Sequence, residues 1–323
     1  MKIFSGSSNK PLAEKIAKCL NADFSPLEIF IFPDGERRVK VEDKVVDEET
    51  VVVQSTNAPA DTNYMEMFFI VDALKRSGAN TVSAVIPYLG YQRQDHVFRD
   101  GEAVSLEVII ETLEAVGVDK IITIDLHSVK IPELFRIPII HLSALELFAE
   151  EIKKLPGENF ASPRANNHKS SIISLQSDLV LVSPDMGGIR RIKILSELLG
   201  NAQWATIEKN RDLATGDVTA NKLEGSAVDG KDVIIVDDMI STGKTIDTAC
   251  ELLEKRGARD IYVFATHAVF SKEAPEILQN SKAKKIFVTD SILVPKEKQF
   301  QKLKTLSIDS LIADNIKGLR IKD

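Results

Sequence analysis

The sequence predicts an α/β protein of two related domains, each a mostly parallel sheet flanked by helices. Three observations lead there. Apolar, β-rich runs alternate with helical patterns along the whole chain. The strand runs are almost continuously apolar, as strands covered by helices on both faces are. Finally, Val51–Gln54, a polar turn and a helix ending Lys75-Arg76-Ser77-Gly78 are echoed by Val233–Val236, a polar turn and a helix ending Lys255-Arg256-Gly257.

The elements follow in order. Lys2–Phe4 reads as a strand and Pro11–Leu20 as a helix. Val51–Gln54 is a short buried strand, and Met65–Ser77 has helical spacing with Gly78 as its stop. Thr81–Pro87 is a strand, Leu106–Val116 a helix ended by Gly117, and Lys120–Asp125 a strand. The second half repeats the rhythm. Val180–Val182 is a strand, Ile189–Leu199 a helix ended by Gly200, and Val233–Val236 a strand. Ile246–Arg256 is a helix ended by Gly257, and Ile261–Ala265 a strand. Pro156–Ser177, rich in Pro, Asn, Ser and basic residues, breaks the pattern and reads as a mobile insertion. The Lys-rich tail after Pro295 is expected to be partly helical or extended.

Composition narrows the class. Of 323 residues, 44% are hydrophobic and 28% charged, enough apolar material for substantial cores. The net charge of −7 supplies no basic field for nucleic acid or an anionic membrane, so neither is an expected partner. No run approaches the roughly 20 apolar residues of a membrane span. The two cysteines, Cys19 and Cys250, have no partner at metal-ligand spacing and read as buried thiols of a reduced, cytoplasmic protein.

The sharpest chemical signal is Val233-Ile234-Ile235-Val236-Asp237-Asp238-Met239-Ile240-Ser241-Thr242-Gly243-Lys244-Thr245. A buried strand ends in two carboxylates, and a hydroxyl-rich loop with a glycine opens a helix. Ligands of open α/β sheets bind beyond the carboxyl ends of strands. Backbone N–H groups of such a loop hold a phosphate monoester, with Thr242 and Thr245 adding hydroxyls and Lys244 charge. The carboxylates would repel that phosphate, so they suit sugar hydroxyls or a metal. Gly243-Lys244-Thr245 is not a Walker A loop, because position 238, where its first glycine belongs, is Asp238.

Further groups lie elsewhere along the chain. Phe32-Pro33-Asp34-Gly35-Glu36 sets an aromatic beside a turn with two acids, a platform for a base. Tyr91-Gln92-Arg93-Gln94-Asp95 follows a strand, and an Arg fork there suits phosphate oxygens. Asp125-Leu126-His127-Ser128 puts His127 where it can ligate a metal or act as a base, whereas His96, His141, His168 and His267 read as structural. Ser183-Pro184-Asp185-Met186-Gly187-Gly188 opens a helix bearing Arg190 and Arg191. Ile207-Glu208-Lys209-Asn210-Arg211 leads into a flexible-looking, Asp-, Thr- and Gly-rich stretch to Val218.

Taken together, these motifs resemble the ribose-phosphate pyrophosphokinase (phosphoribosyl diphosphate synthetase) family, in family order from Phe32 to Thr245. The strand, acidic pair and Ser-Thr-Gly loop are shared with phosphoribosyltransferases, so the resemblance implies two phosphoribosyltransferase-type domains. The first would span 1–146 and carry the ATP and subunit contacts. The second, 147–323, would carry the ribose 5-phosphate site and the catalytic loop, with the last residues packing back on the first.

The resemblance also implies roles. Phe32, Asp34, Glu36, Arg93 and Gln94 would bind ATP. Asp237, Asp238, Ser241, Thr242, Gly243, Lys244, Thr245 and Arg211 would bind ribose 5-phosphate. His127 and Asp185 would position magnesium (Mg2+), and Lys209 and Arg211 would stabilise the transferring group. A homo-oligomer is implied as well. The chain departs from the commoner family pattern at Ser241, at Lys244 and in Phe98-Arg99-Asp100-Gly101-Glu102, leaning towards archaeal-type members. A phosphoribosyltransferase would explain Asp237–Thr245 but not Phe32–Glu36 or the paired domains. A non-catalytic regulatory homologue would not need His127, Lys209 and Arg211.

Overall fold

Two parallel sheets emerge from the alternating sequence in the computed structural model, which describes residues 1–155, 178–211 and 218–320. The chain divides into two compact units: Met1–Ser143 with Asp290–Leu293 and Ser307–Asp323, and Ala144–Thr289 with Val294–Leu306.

In the first unit, β1 (Lys2–Ser5), β2 (Asp23–Phe24), β5 (Glu49–Val53), β6 (Thr81–Val85), β7 (Lys120–Ile124) and β8 (Ile139–Leu142) form a parallel sheet. Its order is β2-β1-β5-β6-β7-β8. A separate antiparallel hairpin joins β3 (Leu27–Ile31) to β4 (Arg37–Val41). The helices are α1 (Lys10–Leu20), α2 (Ala60–Arg76) and α3 (Ser105–Ala115). Helix α2 buries Tyr64, Met67, Phe68, Val71 and Leu74, spaced by three and four, against a core that includes Phe4, Val52, Val82 and Ile121. Each such side chain contributes about 1.5–3 kcal/mol by leaving water.

In the second unit, β9 (Leu179–Ser183), β10 (Gln203–Arg211), β11 (Val218–Gly225), β12 (Asp232–Ile240), β13 (Ile261–Ala268), β14 (Lys285–Thr289) and β15 (Leu303–Leu306) form the other sheet. The order is β11-β10-β9-β12-β13-β14-β15, parallel throughout apart from the antiparallel β10–β11 pair. Its helices are α4 (Leu145–Ile152), α5 (Ile189–Leu198), α6 (Lys244–Lys255) and α7 (Ala274–Asn280). The strand residues Val180, Val182, Val233, Ile235 and Val263 pack with Ile246, Cys250 and Leu253 of α6. The sequence echo corresponds to β5-α2-β6 and β12-α6-β13, each a parallel crossover whose helix is followed by a glycine at positive φ (Gly78 +89°, Gly257 +84°).

Several elements differ from the sequence reading. Helix α2 begins at Ala60, because its polar first turn, with Asp61 at the positive end of the helix dipole, has no apolar periodicity to announce it. Helix α6 begins at Lys244, ahead of its first buried residue, Ile246. Ile207–Arg211 is the end of a strand and not the start of a loop, since Gln203–Arg211 pairs first with β9 and then along β11. The tail agrees with the expectation of a partly helical or extended segment: it forms β15 in the second unit and a C-terminal helix, α8 (Asp309–Arg320), in the first. Asp290 anchors that helix by accepting from Ile308 N at 2.9 Å and Ser307 Oγ at 2.7 Å. The 156–177 insertion and residues 212–217 lie outside the described residues, as does His168. Among the described residues no helix is long and apolar enough to cross a membrane.

Candidate functional site

The chain leaves β9 for β10 on one side, and β12 lies on the other, so the second sheet has a switch point between β9 and β12. Crevices of this kind, outside the carboxyl ends of the strands, are where open α/β sheets bind ligands. Strand β12 pairs with β9 as far as Ile235↔Val182, then runs on beside β13 to Ile240. The acidic pair therefore sits within a strand, on the stretch of β12 that has outrun its β9 neighbour. Asp238 is buried, and its N–H donates to Asp237 Oδ1 at 2.9 Å.

Arg191, in the first turn of α5, faces both carboxylates. Its Nη1 lies 3.7 Å from Asp237 Oδ1 and its Nη2 3.9 Å from Asp238 Oδ1. Burial, together with the charge of Asp238, pushes the Asp237 carboxyl well above its ordinary range; Arg191 acts in the opposite direction, and Asp185 adds to the rise. The two adjacent carboxylates thus share one crevice, with Arg191 offsetting their charge and Asp185 adding a smaller repulsion.

The β9–α5 turn explains how Arg191 comes so close. Asp185 Oδ1 accepts from Gly187 N at 3.1 Å, and the Asp185 carbonyl accepts from Ser183 Oγ at 2.7 Å and Thr206 Oγ1 at 3.1 Å. A Cβ on Gly188 would stand 2.3 Å from Ser183 Oγ and 3.5 Å from Arg191 Nη1, so only glycine fits.

At the far end of β12 the loop Ser241–Gly243 turns into α6. Ser271 N donates to the Ser241 carbonyl at 3.0 Å, and the two hydroxyl oxygens are 3.1 Å apart. Gly243 has φ +79°, and an added Cβ would meet Leu278 Cγ at 3.2 Å. This left-handed residue points the opening N–H groups of α6 out of the helix, where they have no intrahelical acceptor. Ser241 and Thr242 are half-buried, while Lys244 and Thr245 are exposed at the mouth. The second unit thus combines an acidic floor with a hydroxyl- and amide-lined anion cradle.

In the first unit, Phe32–Glu36 is the β3–β4 turn. Phe32 N donates to the Glu36 carbonyl at 2.8 Å, and Asp34 Oδ1 accepts from Glu36 N at 3.1 Å. The Phe32 ring is 38% exposed, with its centroid 5.0 Å from that of Phe30 in an edge-to-face pair. Arg93 and Gln94 are exposed in a turn closed by Gln94 N donating to the Tyr91 carbonyl at 2.8 Å. His127 is exposed beyond β7, and its N–H donates to Gln92 Oε1 at 2.9 Å. One side chain therefore ties the Arg93-Gln94 turn to His127. His141 has a structural part, its Nε2 accepting Leu126 N at 2.9 Å.

Lys209 and Arg211 lie on β10, in register with Ala220 and Val218, beyond a register shift between Glu208 and Lys209. The 212–217 part of the stretch that follows them is outside the described residues. Arg191 and Gln92 are site neighbours that the sequence reading quoted without a role. Their signal was weak: Arg191 falls three residues after Gly188, and Gln92 sits inside an otherwise polar turn.

No three His, Cys, Asp or Glu side chains among the described residues form a preformed metal cage. The carboxylate oxygens of this crevice, among them Asp185, nevertheless suit a hard cation, because their mutual repulsion favours a positive partner. Magnesium in particular binds through one or two carboxylates completed by substrate phosphates and water, not through a dedicated cage.

Comparison with known proteins agrees across the chain. The family model for the N-terminal domain of ribose phosphate pyrophosphokinase matches residues 1–117, and the phosphoribosyl synthetase-associated domain matches residues 222–323. A ribose-phosphate pyrophosphokinase of Fusobacterium nucleatum is 38% identical over 98% of this chain and 94% of its own. Ribose-phosphate pyrophosphokinase 2 of Enterococcus faecalis is 35% identical over 99% of this chain and 93% of its own. The crystal structure of phosphoribosylpyrophosphate synthetase from Mycobacterium smegmatis superposes with a TM-score of 0.87 at 31% identity, covering 100% of this chain and 99% of that one.

Proposed function

The chain belongs to the ribose-phosphate pyrophosphokinase family, and from that premise we propose how its residues transfer the diphosphate group of ATP to ribose 5-phosphate, giving 5-phosphoribosyl 1-diphosphate and AMP. The observation that carries this reading is the meeting of Asp237, Asp238 and Arg191 with the Ser241–Thr245 cradle at one sheet edge. A sugar monophosphate has hydroxyls for the carboxylates and an anion for the cradle.

The ribose hydroxyls donate to Asp237 and Asp238. Arg191 stands at ion-pair and not hydrogen-bond distance from Asp237 Oδ1 and Asp238 Oδ1, so it does not itself donate to them. The 5-phosphate takes the amides and hydroxyls of Ser241, Thr242, Gly243 and Thr245, with Lys244 and Arg211 adding charge. Phe32 stacks on the adenine, Asp34 and Glu36 meet its polar edge, and Arg93 and Gln94 hold the triphosphate.

The anomeric hydroxyl of ribose 5-phosphate loses its proton to solvent as its oxygen forms a bond to the β-phosphorus. The bond from that phosphorus to the oxygen shared with the α-phosphate breaks, and AMP departs. Lys209 and Arg211 stabilise the charge that collects on the transferring oxygens. Positioning and electrostatics suffice, with no covalent enzyme intermediate. His127 and Asp185 are the residues that would hold magnesium, which when bound neutralises the triphosphate oxygens. We place the enzyme in the cytoplasm, where its unpaired Cys19 and Cys250 stay reduced, and expect a homo-oligomer.

The test is AMP release from ATP plus ribose 5-phosphate, with and without magnesium. Release that needs both substrates and the metal supports the reading. Substrate-dependent consumption of 5-phosphoribosyl 1-diphosphate with a free base would instead identify a phosphoribosyltransferase.

A further inference from the structure

We propose that Gln92 is a positioning residue that sets the main chain of His127 for its work beside the nucleotide; this rests on the reading that His127 meets magnesium. Gln92 is 1% exposed, although its neighbours Arg93 and Gln94 are open to solvent. Its carboxamide is used one-sidedly. Oε1 accepts from His127 N at 2.9 Å, while Nε2 is buried and finds no acceptor among the described residues.

That asymmetry is informative. Burying an unpaired amide group costs about 1–3 kcal/mol. A methionine of the same length would fill the space without that cost. Packing therefore does not favour the carboxamide here. What the carboxamide does supply is an acceptor for one particular N–H.

The neighbouring hydrogen bonds show why that N–H matters. Asp125 N donates to the Leu142 carbonyl at 3.0 Å, and Leu126 N to His141 Nε2 at 2.9 Å, so β8 fixes the first two amides of the segment. His127 N is the third in the row, and it is held by Gln92. Tyr91, directly before Gln92, and Asp125, two residues before His127, both have positive φ (+62° and +40°), so each segment turns sharply close to the link. Gln92 is thus a strut between two turns: one presents Arg93 and Gln94, the other His127. Groups that orient metal-binding residues typically change affinity or activity by about 10–100-fold when lost.

The experiment compares full-length Gln92→Met, Gln92→Glu and His127→Ala with the unaltered enzyme. Three quantities are read: magnesium-dependent ATP binding by calorimetry without ribose 5-phosphate, the half-saturating magnesium concentration in turnover, and the melting temperature. Gln92→Met is expected to keep its melting temperature, weaken magnesium-assisted ATP binding about tenfold and raise the magnesium requirement similarly. Its KM for ribose 5-phosphate should stay unchanged. Gln92→Glu, which retains an acceptor oxygen, should recover most of the loss.

An unaltered magnesium response in Gln92→Met overturns the proposal. So does a fall in melting temperature with all kinetic constants lowered together, the behaviour of a packing residue, or a Gln92→Glu variant as impaired as Gln92→Met. His127→Ala separates the two levels. If it shifts the magnesium response and Gln92→Met does not, the strut is wrong and the His127 reading stands. If His127→Ala changes nothing, the His127 reading falls and takes the strut with it.

Discussion

Arg191 holds Asp237 in an ion pair without a hydrogen bond, with Nη1 3.7 Å from Oδ1. The arrangement tempers the charge of the acidic pair without a hydrogen bond from Arg191 to either carboxylate. Removing the guanidinium takes away the cation that faces these crowded, largely buried carboxylates. Arg191→Ala is expected to cost about 3 kcal/mol of stability and to weaken ribose 5-phosphate binding. Arg191→Lys should recover little, since one ammonium cannot face both carboxylates as the planar fork does. Thermal unfolding and a substrate titration of both variants check this, and an Ala variant with unchanged melting temperature and KM would refute it.

The Asp237 carboxyl carries a pH signature. Its pKa in the fold is raised well above 3.8 by burial and by Asp238. The folded state therefore holds this proton more tightly than the unfolded chain does. Ligand-free enzyme should lose stability as the pH rises from about 3.8 through the raised value, and keep that contribution in full below the window. Asp237→Asn should flatten this dependence, raise the melting temperature at neutral pH and abolish productive sugar binding. Melting curves of both proteins across that range are the measurement.

Lys244 opens α6, where the helix dipole disfavours a cation by about 0.3–1 kcal/mol. Its charge fits the proposed binding of an anionic ligand better than it fits the helix. Lys244→Ala is expected to raise stability by a few tenths of a kcal/mol while raising the KM for ribose 5-phosphate, and the KM increase should shrink at high salt. A variant that binds the sugar phosphate as well as the parent would take Lys244 out of the cradle.

Lys209 is assigned to the charge that develops during transfer. Losing a comparable fixed donor costs about 2.7–4 kcal/mol in the barrier. Lys209→Ala should lower turnover by roughly two orders of magnitude or more, with both substrates still bound. Pre-steady-state turnover alongside equilibrium binding tests it, and near-normal turnover would remove Lys209 from the mechanism.

Much of this was legible in the chain. Buried parallel strands such as Val180–Val182 and Val233–Val236 announce themselves because both faces are apolar, and glycines such as Gly78 and Gly257 announce helix ends because the left-handed turn there suits no side chain so well. The hairpin of Leu27–Ile31 and Arg37–Val41 went unread because it belongs to neither sheet and its half-exposed residues give no buried run. The start of α2 at Ala60 was hidden by a polar first turn.

The sequence by itself determined the chemistry of the second unit's crevice: an apolar strand, two acids, a hydroxyl loop and a glycine are contiguous, and contiguous residues must share a strand end. Tertiary structure decided what lies opposite them. Arg191 is 46 positions from Asp237 by their numbers, and Gln92 is 35 from His127; each pair meets because parallel strands bring their carboxyl ends to one edge. Local pattern can specify an element and its turn, but the pairing of turns is set by strand order and by the burial that fixes it.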